Sequence, residues 1–491
     1  FMPRAVMEDL DRLHSNLGGT PIHPITVDGP PNVYIVDNNN DGSLISSDGD
    51  IVYAFFGLRR GGKNIYALDI SNPDAPKFLW SLSKGSAGTD FAELGQTWSK
   101  PSIGKITDAS NNIIPVLIFG GGYNGDDEGD DLGDLGKDAA THVSPQPVGT
   151  DDDEGNAIFV VNANTGALIW KAVEGSTAGY SSISKAYSEP NLVDSFAAGV
   201  TAIDSNGDTI TDRVYAADTG GRVWRVDLAG ADANDINNDG NTIEITTKDP
   251  AVWQVNMLLS VGRHESGFNN VTNDRRFLVE SDVILSRDSV GPFDGVIIGS
   301  GDRENPNSTS TEDWFYLVKD RAINSGLPST LVFGHDNSSA GVDLELTDLT
   351  NNCLQDNSCS SSPDLSNGWR IQLTNSGEKA VSQSVTSGGT VFFTTFKPGT
   401  GATSCSPSEG SGFLYAISAQ DATAVYDFNV SNNVSTVVFD RKVALERGGI
   451  PTTPVVLGGG RLLVQGRGPN DVIMNIGTRT SFPTYWHEYD K

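Results

Sequence analysis

The alternation of hydrophobic and polar positions predicts a chain built almost entirely of short β-strands. Runs of β-branched and aromatic residues stand between clusters of Gly, Asn, Asp and Pro along most of the chain, a pattern typical of all-β proteins. Only the first residues depart from it. There, apolar residues at helical spacing predict one amphipathic helix over 3–17, which Pro3 begins and Gly18 and Gly19 end. The apolar positions of this helix are Val6, Leu10, Leu13 and Leu17.

Five strand segments share a loose repeat in which an aromatic or apolar run is followed by a turn. Two of them lead into a second strand that ends in Trp80 or Trp170. Repeated antiparallel units with Gly-rich corners favour a β-propeller, and an array of β-sandwiches is the structural alternative. We therefore expect an N-terminal helix and lead-in over 1–30 and a single large propeller domain over 31–491. The repeated segments are 64–70, 157–163, 221–228, 313–318 and 412–418.

Residues 204–212 read Asp-Ser-Asn-Gly-Asp-Thr-Ile-Thr-Asp and carry the most informative chemistry of the chain. Their oxygen donors fall at loop positions 1, 3, 5, 7 and 9, the spacing at which a tight loop wraps Ca²⁺. The donors are the side chains of Asp204, Asn206, Asp208 and Asp212 and the carbonyl of Ile210. A strand, a Gly turn and a second strand follow directly, so the sequence predicts a calcium site held on a β-hairpin.

A solvated Asp/Asn/Gly turn is the simpler interpretation of such a loop, because these residues bond their own backbone. The third carboxylate, Asp212, favours calcium. The loop also departs from the EF-hand pattern, since position 6 is Thr209 rather than Gly and no Glu stands at position 12.

Two further segments have similar spacing. In residues 37–48, position 6 is Gly42 and position 9 is Ile45, which offers only a carbonyl, so we expect a possible second calcium site there. Its candidate ligands are Asp37, Asn39, Asp41, Ser43 and Asp48. A weaker third candidate comprises Asp235, Asn237, Asp239 and Asn241, for which an ordinary turn is the preferred interpretation because no terminal acid is in register.

The charge balance restricts the partners. The 491 residues include 63 Asp and Glu against 33 Lys and Arg, a net charge of −30. Nucleic acid and anionic membranes are therefore not expected partners, and no apolar run of about 18 residues predicts a membrane span.

An acidic stretch near 126–154 is expected to be a solvated surface insertion. Because the chain begins with Phe1 and no leader follows, we expect it to be a processed piece of a longer exported protein.

The three cysteines, Cys353, Cys359 and Cys405, lie in one polar, loop-rich third of the chain. Free thiols are the simplest interpretation. Their clustering favours instead one disulfide in an exported protein with one thiol left over. We expect Cys405 to pair with either Cys353 or Cys359.

Several motifs together resemble the C-terminal domain of PilY-type pilus biogenesis and tip proteins. The clearest is the 204–212 loop running directly into Arg213-Val-Tyr-Ala216 and later Trp224-Arg-Val-Asp227. Others, in chain order, are Phe1-Met-Pro3, Phe55-Phe-Gly-Leu58 with Tyr66-Ala-Leu-Asp69, Leu94-Gly-Gln-Thr-Trp98, Phe119-Gly-Gly-Gly-Tyr123, Gly368-Trp-Arg-Ile371 and Val391-Phe-Phe-Thr394. The likeness spans nearly the whole chain.

The resemblance implies a modified, seven-bladed β-propeller of the quinoprotein-dehydrogenase type, exported to the pilus tip, cell surface or outer membrane. It implies a calcium-binding factor, not an enzyme, that controls pilus extension and retraction and hence twitching motility and adhesion. The implied partners are minor pilins of the tip complex and a host or abiotic surface. The family's calcium ligands correspond to Asp204, Asn206, Asp208, Ile210 (carbonyl) and Asp212.

The alternative is a quinone-dependent dehydrogenase, because the strand-turn-Trp unit ending at Trp170 resembles the repeat of those propellers. Few such units occur, however, and no adjacent cysteine pair is present. The six histidines are scattered without a zinc-binding spacing, and no nucleophile elbow appears. We therefore expect no catalytic residues.

Overall fold

The computed structural model describes an all-β chain, as the residue pattern predicts. The described residues are 2–7, 14, 25–108, 110, 112–125, 149–228, 249–264, 269–323, 326–329, 331–334, 342–354, 359, 362–399, 409–429, 433, 438–446, 448–457, 460–464 and 472–475. Within them, Met7 and His14 are α-helical, and four short 3₁₀ segments occur, namely Arg4–Val6, Ser46–Asp48, Pro250–Val252 and Val271–Asn273. Most of the helix predicted over 3–17 lies outside the described residues. No described helix has the length and apolar character needed to cross a membrane.

The chain forms two compact units. The first comprises Phe1–Val143, Gly149–Thr219 and Trp224–Asn256, and the second comprises Ser144–Val148, Gly220–Val223 and Met257–Lys491. The expectation of one domain over 31–491 stays a prediction. The cation loop at 204–212 and the loop at 37–48 both belong to the first unit.

The first unit begins with an antiparallel sheet whose strands lie in chain order, so each strand pairs with the next. Its strands are β1 (Asn32–Val36), β2 (Ile51–Gly57), β3 (Asn64–Asp69) and β4 (Lys77–Ser83). The second sheet has the order β5-β6-β7-β8-β10-β9, with β10 parallel to β8. Its strands are β5 (Ser102–Thr107), β6 (Ile113–Gly120), β7 (Ala157–Asn162), β8 (Leu168–Glu174), β9 (Gly179–Ser181) and β10 (Ala186–Glu189). Then follow β11 (Thr201–Ile203), β12 (Arg213–Ala217) and β13 (Arg222–Asp227).

A tryptophan joins the first two sheets. The Trp80 indole N–H donates to the carbonyl of Ala163, 2.9 Å away, in the turn after β7. The Trp80 ring lies against Gly166 of the same turn, where a Cβ atom would come within 2.8 Å of the ring. Apolar residues alternate along these strands, so one face of each sheet meets in a core that includes Phe55, Phe119 and Phe159.

The second unit continues from the end of β14 (Gln254–Ser260). Its further strands are β15 (Asp282–Arg287), β16 (Pro292–Gly299), β17 (Trp314–Asp320), β18 (Leu331–Gly334), β19 (Val342–Glu345), β20 (Thr347–Asp348), β21 (Gly368–Gln372), β22 (Lys379–Ala380), β23 (Val385–Ser387), β24 (Thr390–Lys397), β25 (Ser411–Ser418), β26 (Lys442–Ala444), β27 (Val455–Leu457), β28 (Arg461–Val464) and β29 (Val472–Asn475). They include the sheets β15-β16-β17-β21-β20, β22-β24-β25-β26 and β27-β28-β29, with β18 and β19 added in parallel after β14.

The second unit repeats the tryptophan contact. The Trp369 indole N–H donates to the carbonyl of Ala419, 3.1 Å away, in the turn after β25. Repeated small antiparallel sheets of this kind have the character of propeller blades. The predicted all-β class with propeller-like sheets is confirmed, and the number of blades stays a prediction.

Two expectations about loops are corrected. The acidic stretch is not solvated throughout, because Asp152 is buried and accepts a hydrogen bond from the Ser195 N–H at 2.7 Å. Glu154 forms ion pairs with Lys63 and Lys84. Residues 126–148 lie outside the described part of the chain.

The disulfide joins Cys353 to Cys359, not Cys405 to either of them. Cys353 has a φ of 52°, so the chain turns sharply there, and the two Cα atoms lie 4.1 Å apart. Sequence spacing gave no sign of this turn, which requires a left-handed residue other than Gly. Cys405 lies outside the described residues.

Candidate cation site

The 204–212 loop closes a β-hairpin in the first unit. Strands β11 and β12 pair antiparallel, with Ile203 opposite Arg213, so the loop spans one end of this pair. Every residue of β12 and β13 is buried. The loop is therefore held on a rigid scaffold, as the sequence predicts.

Side-chain oxygen atoms of the loop accept its own backbone N–H groups and turn the chain. The two carboxylate oxygens of Asp204 accept from the N–H groups of Gly207 and Thr209, each at 2.7 Å. The Asn206 Oδ1 accepts from the Asp208 N–H at 2.9 Å. The Asp208 Oδ1 accepts from the N–H of Ile210, the residue whose carbonyl is a predicted ligand, at 2.7 Å.

Asp212 is the most distinctive residue of the loop. Its side chain is only 2% exposed, and its Oδ2 accepts from both the N–H and the hydroxyl of Ser205, at 2.6 and 2.7 Å. Its Oδ1 is buried and has no hydrogen-bond donor among the described residues. Burial raises the pKa of this carboxyl from 3.8 to about 6, and the charges of Asp208 and Asp204 add to the effect. A buried carboxylate oxygen without a donor fits a cation ligand.

The loop also needs some rearrangement to coordinate an ion fully. The ligand oxygen atoms of Asp204, Asp208 and Asp212 do not all lie within 4.8 Å of one another. Coordination by all three carboxylates therefore requires the loop to tighten. The backbone of the loop is also strained at Thr209, because its φ of 76° is unusual for a β-branched residue.

Thr211 and Asp212 connect the loop to its surroundings. The Thr211 N–H donates to the Lys105 carbonyl on β5 at 2.8 Å, and the Lys105 N–H donates back to the Thr211 hydroxyl at 3.2 Å. The Asp212 carbonyl accepts from the Leu228 N–H, just after β13, at 2.8 Å. A change in the loop therefore has direct backbone routes to two strands of the first unit.

The 37–48 loop repeats the hydrogen bonds of the first loop. Asp37 accepts from the Gly42 N–H at 2.8 Å, Asn39 from the Asp41 N–H at 3.1 Å, and Asp41 from the Ser43 N–H at 2.7 Å. These bonds link positions 1 to 6, 3 to 5 and 5 to 7, as in 204–212. The backbone matches as well, since Gly42 has a φ of 78°, close to that of Thr209 at the same position.

The predicted ligand Asp48 does not close this second loop. Its side chain is exposed and accepts only the Ser47 hydroxyl at 3.2 Å among the bonds found for it. Asp50 lies in the corresponding place instead. It is 4% exposed and accepts the N–H groups of Asn38 and Ile45, each at 2.8 Å.

Asp50 corresponds to Asp212 in two respects. Each carboxylate accepts the N–H of loop position 2, which is Asn38 in one loop and Ser205 in the other. Each acid also stands immediately before a strand, β2 or β12. Counting to loop position 12 predicted Asp48 as the closing acid, and this prediction was wrong. The position of Asp50 directly before a predicted strand was the signal in the sequence that could have identified it. The Asp37 Oδ1 is buried without a donor among the described residues.

The third candidate loop, Asp235 to Asn241, lies outside the described residues and stays a prediction.

The fold and the site define an all-β protein of propeller-like sheets with a cation-type loop on a buried hairpin. No protein-family model matches the chain. The resemblance to the PilY-type pilus proteins is confirmed, because curated relatives of the chain are PilY1 proteins. It is 28% identical over 259 residues to the type IV pilus biogenesis factor PilY1 of Pseudomonas aeruginosa strain UCBPP-PA14, covering 52% of this chain and 18% of that protein.

A second relative is the PilY1 homolog of Xylella fastidiosa, 25% identical over 401 residues, covering 75% of this chain and 22% of that protein. Among solved structures, the chain is similar to the C-terminal domain of Pseudomonas aeruginosa PilY1, with a TM-score of 0.59 and 16% identity. That similarity covers 95% of this chain and 86% of the domain. The chain thus spans less than a quarter of the length of these two curated relatives.

Proposed function

We propose that this chain is the calcium-binding part of a type IV pilus biogenesis factor and has no enzymatic role. The curated relatives are named as type IV pilus biogenesis factors, and this supports a role in the pilus system. The single observation that carries the proposed site is Asp212, a buried carboxylate with one oxygen lacking a donor at the end of a loop of oxygen ligands.

The donor set suits Ca²⁺, a hard cation that prefers carboxylate, amide and carbonyl oxygen atoms. Asp204, Asn206, Asp208 and Asp212 would hold it with the Ile210 carbonyl. When bound, the ion supplies the positive charge that the acidic loop lacks. Without it, like charges stand close together and one of them is buried, which loosens such a loop.

The loop acts as a switch because its tightening bears on neighbouring strands. Thr211 hydrogen-bonds to Lys105 on β5, and Asp212 hydrogen-bonds to Leu228 after β13. The calcium-loaded loop orders this surface of the first unit so that it binds a pilus protein, and we favour the minor pilins of the tip complex as that partner. Without calcium the surface is not ordered and the partner is not bound. This difference controls pilus extension and retraction, with effects on twitching motility and adhesion.

The same proposal includes the wider architecture. The sheets form blades of one modified, seven-bladed propeller over 31–491, preceded by the lead-in over 1–30. The protein is exported and acts at the pilus tip, cell surface or outer membrane, where it contacts pilins and a host or abiotic surface. The dehydrogenase alternative has less support, because the relatives are named as pilus factors.

The proposal is tested by calcium calorimetry and by complementation of a strain that lacks the gene. We expect Asp208→Ala to weaken calcium binding at this loop by about tenfold or more, since it removes a charged oxygen donor. The same variant should change surface piliation or twitching at normal expression level. Absence of calcium binding by the unaltered protein would overturn the proposed site, and an unchanged pilus phenotype in a non-binding variant would overturn its regulatory role.

The proposal extends to the 37–50 loop, with Asp50 in place of Asp48. We expect Asp50→Asn to reduce the calcium stoichiometry by about one ion, because it removes the buried acid that closes the loop. The matched variant Asp48→Asn should leave the stoichiometry unchanged, since that side chain is exposed. Calorimetric titration of both variants distinguishes the two acids, and loss of an ion in Asp48→Asn alone would contradict the assignment.

A further inference from the structure

Ser205 occupies position 2 of the cation loop, a position whose side chain is not expected to be a ligand. Both its N–H and its hydroxyl donate to the same oxygen, Oδ2 of Asp212, at 2.6 and 2.7 Å. The other oxygen, Oδ1, stays buried without a donor among the described residues. The two bonds thus fix the carboxylate in one rotation and leave one oxygen for another partner.

The second loop shows that this arrangement is not a general property of position 2. There the position-2 residue is Asn38, whose backbone N–H donates to Asp50 at 2.8 Å. Its side-chain amide donates elsewhere, to the carbonyl of Asp48 at 3.1 Å. Both oxygen atoms of Asp50 accept backbone N–H groups. Only the 204–212 loop uses a position-2 side chain to hold its buried acid, among the two loops described.

We infer that Ser205 is the positioning residue for this site and that its hydroxyl orients the Asp212 carboxylate so that Oδ1 meets the cation. The inference rests on the proposed calcium function. Groups that orient a metal ligand through a hydrogen bond commonly change metal affinity by about 10- to 100-fold when removed. Ser205 therefore sets the affinity of the loop without touching the ion.

The test uses the full chain carrying Asp41→Ala, which silences the 37–50 loop. Within it, Ser205→Ala should weaken Ca²⁺ binding by about tenfold or more in calorimetry, because a freed Asp212 carboxylate rotates away. Ser205→Thr, which keeps the hydroxyl, should stay within about threefold of the parent. The control Ser47→Ala removes a hydroxyl that donates to an exposed loop aspartate and should have no effect.

Tb³⁺ luminescence lifetimes in H₂O and D₂O give the number of water molecules bound to the ion. This number would not change if Ser205 had only a structural role. If Asp212 leaves the ion, Ser205→Ala should hold about one more inner-sphere water than the parent, and Ser205→Thr should not. Thermal midpoints of the calcium-free proteins check that each variant folds, and Ser205→Cys replaces the Ala variant if the latter does not fold.

The outcomes separate the inference from the proposed function. Calcium binding by the parent with equal affinity and equal water count in Ser205→Ala overturns the role of Ser205 alone. Failure of the Asp41→Ala parent to bind Ca²⁺ or Tb³⁺ overturns the site and the inference together. A loss of affinity in Ser205→Ala that Ser205→Thr does not restore also contradicts the role of the hydroxyl.

Discussion

Replacing Asp212 by Asn should remove the stabilisation that calcium at the 204–212 loop gives to this protein. With a dissociation constant on the order of 1 μM and calcium near 1 mM, a bound ion stabilises the folded state by about 4 kcal/mol. Asn keeps the shape and can still accept the Ser205 bonds with its one oxygen, but its NH₂ group then stands in place of Oδ1 and cannot bind a cation. Urea unfolding with calcium and with chelator should therefore show a difference for Asp212→Asn that is smaller by about 4 kcal/mol than for the unaltered protein, the remainder coming from the 37–50 loop.

Without calcium, Asp212→Asn should not lower the stability of the protein. Burial raises the pKa of the Asp212 carboxyl to about 6, so the ionised form is disfavoured in the folded state. A raised pKa gives stability at low pH that is lost as pH rises from the unfolded value near 3.8 through about 6. At pH 8 with chelator, Asp212→Asn should thus be at least as stable as the unaltered protein.

The exposed residue Asp74 provides the matched control. Asp74→Asn should follow the unaltered protein with calcium and with chelator. If Asp212→Asn retains the full calcium effect, Asp212 does not bind the ion. If it is strongly destabilised with chelator, the buried carboxylate has a partner that stabilises it in the calcium-free state.

The second large effect concerns the contact of Trp80 with the turn after β7. Trp80 is 7% exposed, stacks on Phe55 and donates to Ala163. We expect Trp80→Ala to lower the free energy of unfolding by about 3–5 kcal/mol, because it creates a cavity and leaves a carbonyl without its donor. Phe78→Ala on the same strand should cost little, since Phe78 is 53% exposed. Urea unfolding followed by hydrogen exchange in β4 and β7 measures the effect.

The turn can be tested from its other side through Gly166. Gly166 has a φ of 71°, and a Cβ there would lie 2.8 Å from the Trp80 ring. Gly88 has a similar φ of 84° but nothing within 4 Å of its would-be Cβ. Gly88→Ala should therefore cost only about 1 kcal/mol for the left-handed backbone, and Gly166→Ala should cost clearly more. Equal losses in the two variants would show that the indole does not press on this turn.

The two cation loops show which ligands residue spacing can predict and which it cannot. In 204–212 the ligand positions are set by neighbours in the chain, because Asp and Asn side chains bond N–H groups two to five residues onward. Spacing therefore identified a turned loop of oxygen donors there. In 37–50 the same local rule identified Asp37, Asn39 and Asp41 but selected Asp48 as the closing acid. Asp50 closes that loop because it is buried and stands directly before β2, which spacing within the loop does not encode.

The sequence by itself determined the all-β class, the strand-turn-Trp repeats and the local geometry of the loops. These depend on short-range periodicity and turn chemistry, which neighbouring residues specify. Only the tertiary structure decided which acids are buried, which carbonyl each Trp meets and that Cys353 pairs with Cys359. The burial and the Trp contacts depend on residues far apart in the chain, whose approach is fixed by packing, and the disulfide depends on a sharp turn at Cys353 that residue spacing does not specify. The unpartnered oxygen of Asp212 belongs to this second kind, because burial of the hairpin beneath it withdraws that oxygen from water.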